Sequence, residues 1–420
     1  MTGTLDLACK ERFGVSLRAL CMSMAVVVAT TTSCSSAQEP SNGQELRENS
    51  SECTGHEVRE TCGTVALEGS EYRYSLHKPD GGLSRDTVLI DLGGPGTALL
   101  SGEHELSRLA EEYIFSKGDY NVIFIEEPWV AQPVPEQCRL AMSEFYDTAR
   151  NQPAGARSAA NPLHEACDLE SGLWGHNPEA YQLALKAISE QEGIEIVGFL
   201  GLSFGSARWS YLGDMDLDWT VLHNPFPLGV HLKDVLATRG TGVSDTLSSE
   251  SDGDILETEA ENSFDFLSAA VRIGYLEGDR RDELIAALDA GDQNLVSQAS
   301  RDTWSAYSDK FMRPSYLALL EEVCRFSAAE IPEVDVPRSP EDILYLIHAP
   351  CSGVGEHEPI IPSVRSLCVS SSRSDIVSDQ ELVESAFKRL PLPQESLIFE
   401  TNEGGHSSTD GLGDCLEEIL

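Results

Sequence analysis

A serine lies between two glycines in the stretch GLSFGS, residues 201–206, directly after the apolar run GIEIVGFL. At the end of a strand, a G-x-S-x-G pattern can form a sharp strand-to-helix turn that exposes the serine hydroxyl as a nucleophile. Elsewhere the same glycines form only a flexible turn. If Ser203 is a nucleophile, three features should follow in a fixed chain order: an oxyanion loop after an earlier strand, an acid after a later strand, and then a histidine.

The oxyanion loop is predicted at LGGPG, residues 92–96, directly after the apolar run TVLID. Glycines in such a loop let backbone N–H groups come close to a tetrahedral oxyanion. The predicted donors are the N–H groups of Gly93, Gly94 and Phe204, the residue after the serine. The alternative for LGGPG alone is a plain Gly-Pro turn.

The acid and the base are predicted near the C-terminus. Asp375 comes just after the apolar run SLCVSSS, where its carboxylate could accept a hydrogen bond from a histidine and fix its tautomer. Asp379 is the rival acid, because it lies in the same polar segment. His406, in ETNEGGHSST, follows the last apolar run and is the predicted general base. A lone aspartate in a polar loop is otherwise a turn residue.

The elements that must position these residues indicate an α/β fold. Continuous Val/Ile/Leu runs bounded by glycine are typical of strands buried on both faces of a parallel sheet, and helical stretches separate them. Two further runs, TVALEG and YRYSLHKP, predict a hairpin near the start. The predicted organisation is a mostly parallel sheet flanked by helices, divided into a first core part (56–224), a helical acidic lid insertion (225–365) and a second core part (366–420).

The insertion holds 14 Asp/Glu and three Arg between residues 241 and 300. Such a charge run is typically a solvated face. Within it, VLATRGTG and SDTLSSESDGD are predicted to be loops, whereas ENSFDFLSAAVRI, RDELIAALDA and SYLALLEEVCRFSA are predicted to be helices.

The first 37 residues have the pattern of an export signal, with a basic region followed by an apolar stretch too short to span a bilayer comfortably. Two processing routes compete. TTSC resembles a bacterial lipoprotein box, which would place a lipid anchor on Cys34, and small residues ending at Ala37 suit ordinary signal peptidase. Residues 38–55 are predicted to be a flexible tether. Both routes predict an extracytoplasmic protein, either secreted or anchored to the outer face of the cell membrane.

Eight cysteines remain beyond the signal region, and an even number in an exported protein predicts disulfides. Neighbours in sequence are the first expectation among 105 arrangements. These pairs are Cys53–Cys62, Cys138–Cys167, Cys324–Cys351 and Cys368–Cys415. Metal binding is the alternative, but the C-x-x-C and paired Cys/His spacings of zinc sites do not occur, so no metal is expected. Acyl transfer by a serine, an acid and a histidine needs no organic cofactor either.

The net charge is −41, which opposes binding to nucleic acid and to anionic lipid headgroups. Nucleic acid is therefore not an expected partner, and the predicted serine nucleophile instead implies a small-molecule substrate with a carbonyl group, either a peptide or an ester. A membrane is expected to be contacted only through the lipid on Cys34.

These motifs together resemble the α/β-hydrolase superfamily, and more narrowly its exported proline-type and tripeptidyl aminopeptidases (serine peptidase family S33-like). The matching stretches are LGGPG, GLSFG, SRSD and GGH, spread thinly from about residue 60 to the end. Leu92 stands where that branch has histidine, Phe204 where it usually has tyrosine, and IEEPWV (125–130) where it has a strand ending in Asp-x-Arg-Gly. Cys138 and Cys167 also resemble a cysteine pair of the exported members.

The resemblance implies a serine peptidase that releases N-terminal residues or short peptides. Recognition of a free amine would need carboxylates, and the candidates are the acidic stretch 245–261 together with Glu126 and Glu127. Three alternatives remain open. One is an exported esterase or lipase with the same triad, the second is a hydrolase-fold binding lipoprotein without turnover, and the third is a solute-binding lipoprotein, which has no reason to hold a triad in hydrolase order.

Overall fold

The computed structural model describes residues 60–67, 70–100, 106–250, 263–308, 311–326, 330–352, 359–392 and 396–420. The predicted signal segment, Cys34, the tether and Cys53 lie outside the described residues.

An eight-stranded sheet forms the centre of the molecule, and a two-stranded ribbon lies apart from it. The strands are β1 (Glu60–Leu67), β2 (Ser70–His77), β3 (Asp86–Asp91), β4 (Asn121–Ile125), β5 (Glu195–Leu202), β6 (Asp216–His223), β7 (Ala306–Ser308), β8 (Phe311–Met312), β9 (Ser363–Ser372) and β10 (Leu397–Asn402).

The large sheet has the order β1-β2-β4-β3-β5-β6-β9-β10. The β1/β2 and β2/β4 pairs are antiparallel, and every other pair in the sheet is parallel. The interior strands β3, β4 and β6 are almost wholly buried, as their continuous apolar sequences predict. The mostly parallel sheet flanked by helices confirms the predicted α/β fold class.

Helices connect and flank the strands. They are α1 (Leu106–Ala110), α2 (Glu136–Asn151), α3 (Ala156–Cys167), α4 (Pro178–Glu192), α5 (Leu232–Glu250), α6 (Ser263–Arg272), α7 (Asp279–Ala290), α8 (Gln293–Thr303), α9 (Ser315–Val323), α10 (Pro340–Ile347), α11 (Gln380–Phe387) and α12 (Leu412–Ile419). Among the residues that the structure describes, no helix is both long and apolar enough to cross a membrane.

Helix α4 shows how local sequence sets the boundaries of an element. Asn177 accepts hydrogen bonds from the backbone N–H groups of Glu179 and Ala180, Pro178 occupies the first turn, and Gly193 ends the helix in the left-handed conformation. These are the expected N-terminal and C-terminal signals of a helix. Local sequence signals therefore mark both ends of this helix.

Between β6 and β9 the chain is mainly helical, comprising α5 to α10 and the small ribbon β7/β8. Helices α5 to α8 share an apolar cluster of their own, which includes Val243, Ala270, Ile285 and Val296. Ile376, the residue after Asp375, packs against this cluster. The boundaries predicted for a lid remain predictions, but this helical segment does contact the loop that carries the predicted acid.

The predicted loop over VLATRGTG and SDTLSSESDGD is wrong where the structure describes it, because residues 232–250 form α5. Its buried positions Val235, Leu236, Val243 and Leu247 lie on one helical face. Gly240 is needed where α5 meets α10, since a Cβ atom there would lie 2.5 Å from Cβ of Glu341. Tertiary packing therefore outweighs the low helix propensity of the glycines.

Three disulfides join described residues. They are Cys138–Cys167, Cys324–Cys351 and Cys368–Cys415. Cys62 is also disulfide-bonded, and its predicted pairing with Cys53 stays a prediction. Disulfides are typical of proteins that fold in oxidising compartments.

Candidate active site

Ser203 lies directly after β5 in a strained turn. Its φ angle is +52°, in the left-handed region that non-glycine residues seldom adopt. Gly205 makes the turn sterically feasible, because a Cβ atom there would lie 2.5 Å from the carbonyl oxygen of Asp91. Gly201 has the same need, since its Cβ would lie 2.9 Å from Cα of Ser206. Both glycines of the motif are therefore required by close packing around the serine.

Ser203, His406 and Asp375 form a continuous chain of hydrogen bonds. Ser203 Oγ lies 2.8 Å from His406 Nε2, and His406 Nδ1 lies 2.8 Å from Asp375 Oδ2. The imidazole and the carboxylate are buried, whereas Ser203 is partly accessible. The structure thus brings together the three residues that the sequence selects. In this arrangement the imidazole can take the serine proton while the carboxylate holds the ring.

Two backbone groups orient the carboxylate of Asp375. Its second oxygen, Oδ1, accepts hydrogen bonds from the N–H groups of Val377 at 2.8 Å and Ser378 at 3.0 Å. The rival Asp379 is placed differently, because its side chain accepts from the N–H of Leu382 and caps the first turn of α11. The geometry therefore favours Asp375 as the partner of His406.

Asn224, which the sequence reasoning missed, supports the His406 loop. Its Nδ2 donates to the carbonyl oxygens of His406 at 3.0 Å and Gly405 at 3.3 Å. Beside it, His223 Nε2 donates to the carbonyl oxygen of Ser408 at 2.6 Å. A sequence signal for these two residues was available, because His223 and Asn224 are polar residues at the end of the apolar run WTVLHNP. They lie at the carboxyl end of β6, next to the end of β5 that carries Ser203.

The loop 92–96 follows β3 and lies against the nucleophile turn. A Cβ atom on Gly93 would lie 2.5 Å from the carbonyl oxygen of Leu202, so only glycine fits there. The N–H of Gly93 donates to Asp91 Oδ1 at 3.0 Å. This bond corrects the prediction for Gly93, because its N–H is already engaged within the protein. Gly94 is exposed and Phe204 follows the serine, so their N–H groups remain the predicted oxyanion donors.

A buried ionic network lies behind this loop, and we call Arg208, Asp91, Glu127 and Glu322 the Arg208 network. Arg208 is only 1% exposed. Its Nη1 contacts Asp91 Oδ1 at 2.9 Å and Oδ2 at 3.2 Å, and its Nε contacts Glu322 Oε2 at 2.7 Å. Its Nη2 donates to Glu127 and to Glu322. One guanidinium therefore serves three buried carboxylates.

The excess of carboxylates changes their ionisation. Burial raises the pKa of Glu127 to about 8, with a smaller contribution from the nearby Glu322 and an opposing one from Arg208. Burial likewise raises the pKa of Glu322, and Arg208 again opposes this effect. The network therefore carries less negative charge near neutral pH than the same side chains would in water.

The structure contradicts the suggestion that Glu126 and Glu127 bind a substrate amine. Glu126 is 1% exposed and contacts Arg73 at 3.0 Å and the N–H of Leu100 at 2.8 Å. Glu127 is 3% exposed and is bound by Arg208. Both carboxylates are thus committed to partners within the protein. Of the acidic stretch 245–261, residues 251–261 lie outside the described residues.

Residues of the helical segment between β6 and β9 approach His406. The ring centroid of Tyr275 lies 5.7 Å from that of His406, in an edge-to-face arrangement. The guanidinium group of Arg239 lies over the Tyr275 ring, 4.5 Å from its centroid. Burial raises the pKa of Glu277, and the nearby backbone N–H groups of Ser407 and Ser408 partly oppose this effect. The sequence placed carboxylates in this segment without identifying Glu277.

An aromatic group lies next to the nucleophile. Phe204, Phe226 and Phe326 have ring centroids 5.3 to 5.8 Å apart. The N–H of Phe226 donates to the carbonyl oxygen of Ser203 at 3.2 Å, and its side chain is only partly buried. Phe226 is therefore the partly accessible apolar side chain near the serine, and the buried rings of Phe204 and Phe326 support it.

Comparisons with known proteins give only distant similarity. No family model and no curated protein matches the chain. A cold-adapted esterase from an Arctic intertidal metagenomic library is similar over 89% of this chain and 99% of its own, at 11% identity and a TM-score of 0.39. Homoserine O-acetyltransferase from Staphylococcus aureus is similar over 86% and 95%, at 12% identity and a TM-score of 0.43. Such distant similarities do not identify a substrate or an activity.

Proposed function

We propose that the protein is an exported serine hydrolase that works through an acyl-enzyme. Ser203 attacks a carbonyl carbon while His406 takes its proton, and Asp375 stabilises the imidazolium that forms. The N–H groups of Gly94 and Phe204 hold the oxyanion. His406 then protonates the leaving group, and water releases the acyl group by the same steps in reverse order. This chemistry uses no metal and no organic cofactor.

The observation that carries the proposal is the hydrogen-bonded chain from Ser203 through His406 to Asp375, with 2.8 Å at each link. The strained φ of Ser203 adds to it, because such backbone strain costs about 1–3 kcal/mol and persists where the surroundings impose it. Neither a solute-binding protein nor a binding module has a use for both features.

The test of this chemistry is labelling of the purified mature protein with a fluorophosphonate probe, which forms a bond only with an activated serine. Wild type is expected to label, whereas Ser203→Ala and His406→Ala are expected to lose labelling. Ser206→Ala is the matched control, since Ser206 Oγ donates to the carbonyl oxygen of Gly201 and does not touch His406. A folded wild type that does not label would leave a binding lipoprotein as the better explanation.

For the substrate we propose a peptide with a free N-terminus, as the sequence resemblance implies. Glu277 supports this proposal, because its carboxylate lies beside the His406 loop and its Oε1 is buried without a hydrogen-bond partner. A substrate ammonium group could supply that partner. Aminoacyl arylamides with free and acetylated N-termini are the test, and Glu277→Gln is expected to reduce the preference for the free amine. Glu283→Gln, an exposed carboxylate of α7, is the control.

The second candidate is an esterase that uses the same triad. The aromatic group of Phe204, Phe226 and Phe326 supports it, because an apolar surface beside the nucleophile suits an apolar acyl chain. Aryl esters of increasing acyl length distinguish the two candidates. Rates that rise with acyl length, together with no turnover of arylamides, would establish the esterase.

We also propose that the protein is held outside the cell by a lipid on Cys34. The disulfides between described residues support an extracytoplasmic location. Incorporation of labelled palmitate by wild type and its loss in Cys34→Ala is the expected result. Cleavage after Ala37 without labelling would instead establish a secreted form.

A further inference from the structure

The Arg208 network touches the loop 92–96 at two points. Asp91 Oδ1 accepts the N–H of Gly93 at 3.0 Å, and Glu127 Oε2 accepts the N–H of Gly96 at 2.7 Å. Gly94, whose N–H is a proposed oxyanion donor, lies between these two anchors. Trp129 Nε1 also donates to Glu127 Oε2, at 2.8 Å, and so fixes that carboxylate from a second direction.

The same network is joined to the nucleophile turn. Arg208 lies in the 3₁₀ segment Ser203–Leu212, which begins at the nucleophile itself. Its guanidinium binds both Asp91 and Glu127, the two carboxylates that hold the loop. A displacement of the loop relative to Ser203 would therefore break buried charge-assisted hydrogen bonds.

We infer that Arg208, Asp91 and Glu127 are positioning residues that set the distance between the Ser203 hydroxyl and the N–H of Gly94. They do not contact the reacting atoms. This role rests on the proposed serine hydrolase function. It explains why the protein keeps these buried charges, which a contribution to stability alone does not explain. Replacing buried ion pairs by apolar side chains is often neutral or stabilising, so a network of one cation and three carboxylates is a poor way to stabilise a fold.

The test compares two neighbouring glutamates. Glu127→Gln keeps the size of the side chain but places an amide where Arg208 and the N–H of Gly96 need acceptors. Glu126→Gln is the matched control, because Glu126 directly precedes Glu127 after β4 and is equally buried, yet contacts Arg73 and Leu100 and not residues 92–96. Hydrolysis of p-nitrophenyl butyrate and inhibition by phenylboronic acid, which forms a tetrahedral adduct with an active serine, are measured for each.

For Glu127→Gln we expect kcat to fall about 10- to 100-fold with KM within about threefold of wild type, since small misplacements of catalytic groups have effects of this size. Its inhibition constant for phenylboronic acid should rise by a similar factor, because the adduct uses the same N–H donors as the transition state. Glu126→Gln should match wild type in both. A purely structural role of Glu127 would lower the unfolding temperature without this parallel loss.

The outcomes separate the two proposals. A wild type without Ser203-dependent turnover overturns the proposed function, and the positioning role with it. An active wild type in which Glu127→Gln equals Glu126→Gln overturns the positioning role alone. If Glu127→Gln does not fold, Trp129→Phe takes its place, because it removes one donor to Glu127 from a partly exposed side chain. An unchanged kcat in that variant would overturn the inference.

Discussion

At the scale of single residues, the site depends on which carboxylate faces the imidazole. Asp375 and Asp379 lie in one polar segment, and nothing in their spacing alone distinguishes them. The structure gives them separate roles: Asp375 bonds His406 Nδ1, and Asp379 caps α11. The difference arises from the direction of the chain after β9, which sequence periodicity does not describe.

We predict that Asp375→Asn lowers kcat by about 10⁴, because an amide favours the wrong tautomer of the histidine. Asp379→Asn should leave kcat within about twofold of wild type, since asparagine caps a helix as well as aspartate does. Steady-state hydrolysis of an aryl ester measures both variants. Equal losses in the two would show that the carboxylate of Asp375 has no special role.

At the scale of secondary-structure elements, much of the sheet could be predicted from the sequence. The buried strands are recognisable as apolar runs, and α4 has capping residues at both of its ends. Helix α5 could not be predicted in this way, because Gly240 and Gly242 lower its intrinsic propensity and only its packing against α10 and the Asp375 loop explains it. The Arg208 network was equally hidden, because its members come from four separate segments of the chain.

The nucleophile turn leads to a prediction about glycine. Gly205→Ala should abolish activity and lower the free energy of unfolding by more than about 3 kcal/mol, because the new Cβ would lie 2.5 Å from the Asp91 carbonyl oxygen. Gly413→Ala is the matched control, with no heavy atom within 4 Å of its Cβ position inside α12. It should stabilise the protein by about 0.5–1 kcal/mol through helix propensity. Urea denaturation and ester hydrolysis measure both effects.

At the scale of the whole molecule, stability depends on buried groups that resist protonation. Burial lowers the pKa values of His77 and His348 to about 4 and lowers that of His176 well below its usual range. The unfolded chain therefore binds protons at these histidines below about pH 6.5, whereas the native protein does so only at lower pH, near pH 4 for His77 and His348. Their contribution to stability is present at neutral pH and is lost as the pH falls through this window.

We predict that His348 lowers the free energy of unfolding by about 2 kcal/mol between pH 7 and pH 5, whereas Glu127 and Glu322, whose pKa values are raised by burial, act in the opposite direction. The change in the free energy of unfolding from pH 7 to pH 5 should differ between His348→Gln and wild type by about that amount, whatever the effect of the variant at pH 7. His231→Gln, at an exposed position, should leave the dependence as in wild type. Urea denaturation at the two pH values measures the difference, and identical slopes in all three proteins would contradict the prediction.

The Cys368–Cys415 disulfide closes a loop of the chain that contains both Asp375 and His406. A protease that cuts the chain between these two residues would therefore produce a nicked protein whose halves stay covalently joined. Acid and base would remain on one covalent framework, held to the sheet through β9 and α12. The crosslink would therefore keep the acid and the base in one covalently joined protein after such a cleavage. The damage would become visible only on a reducing gel.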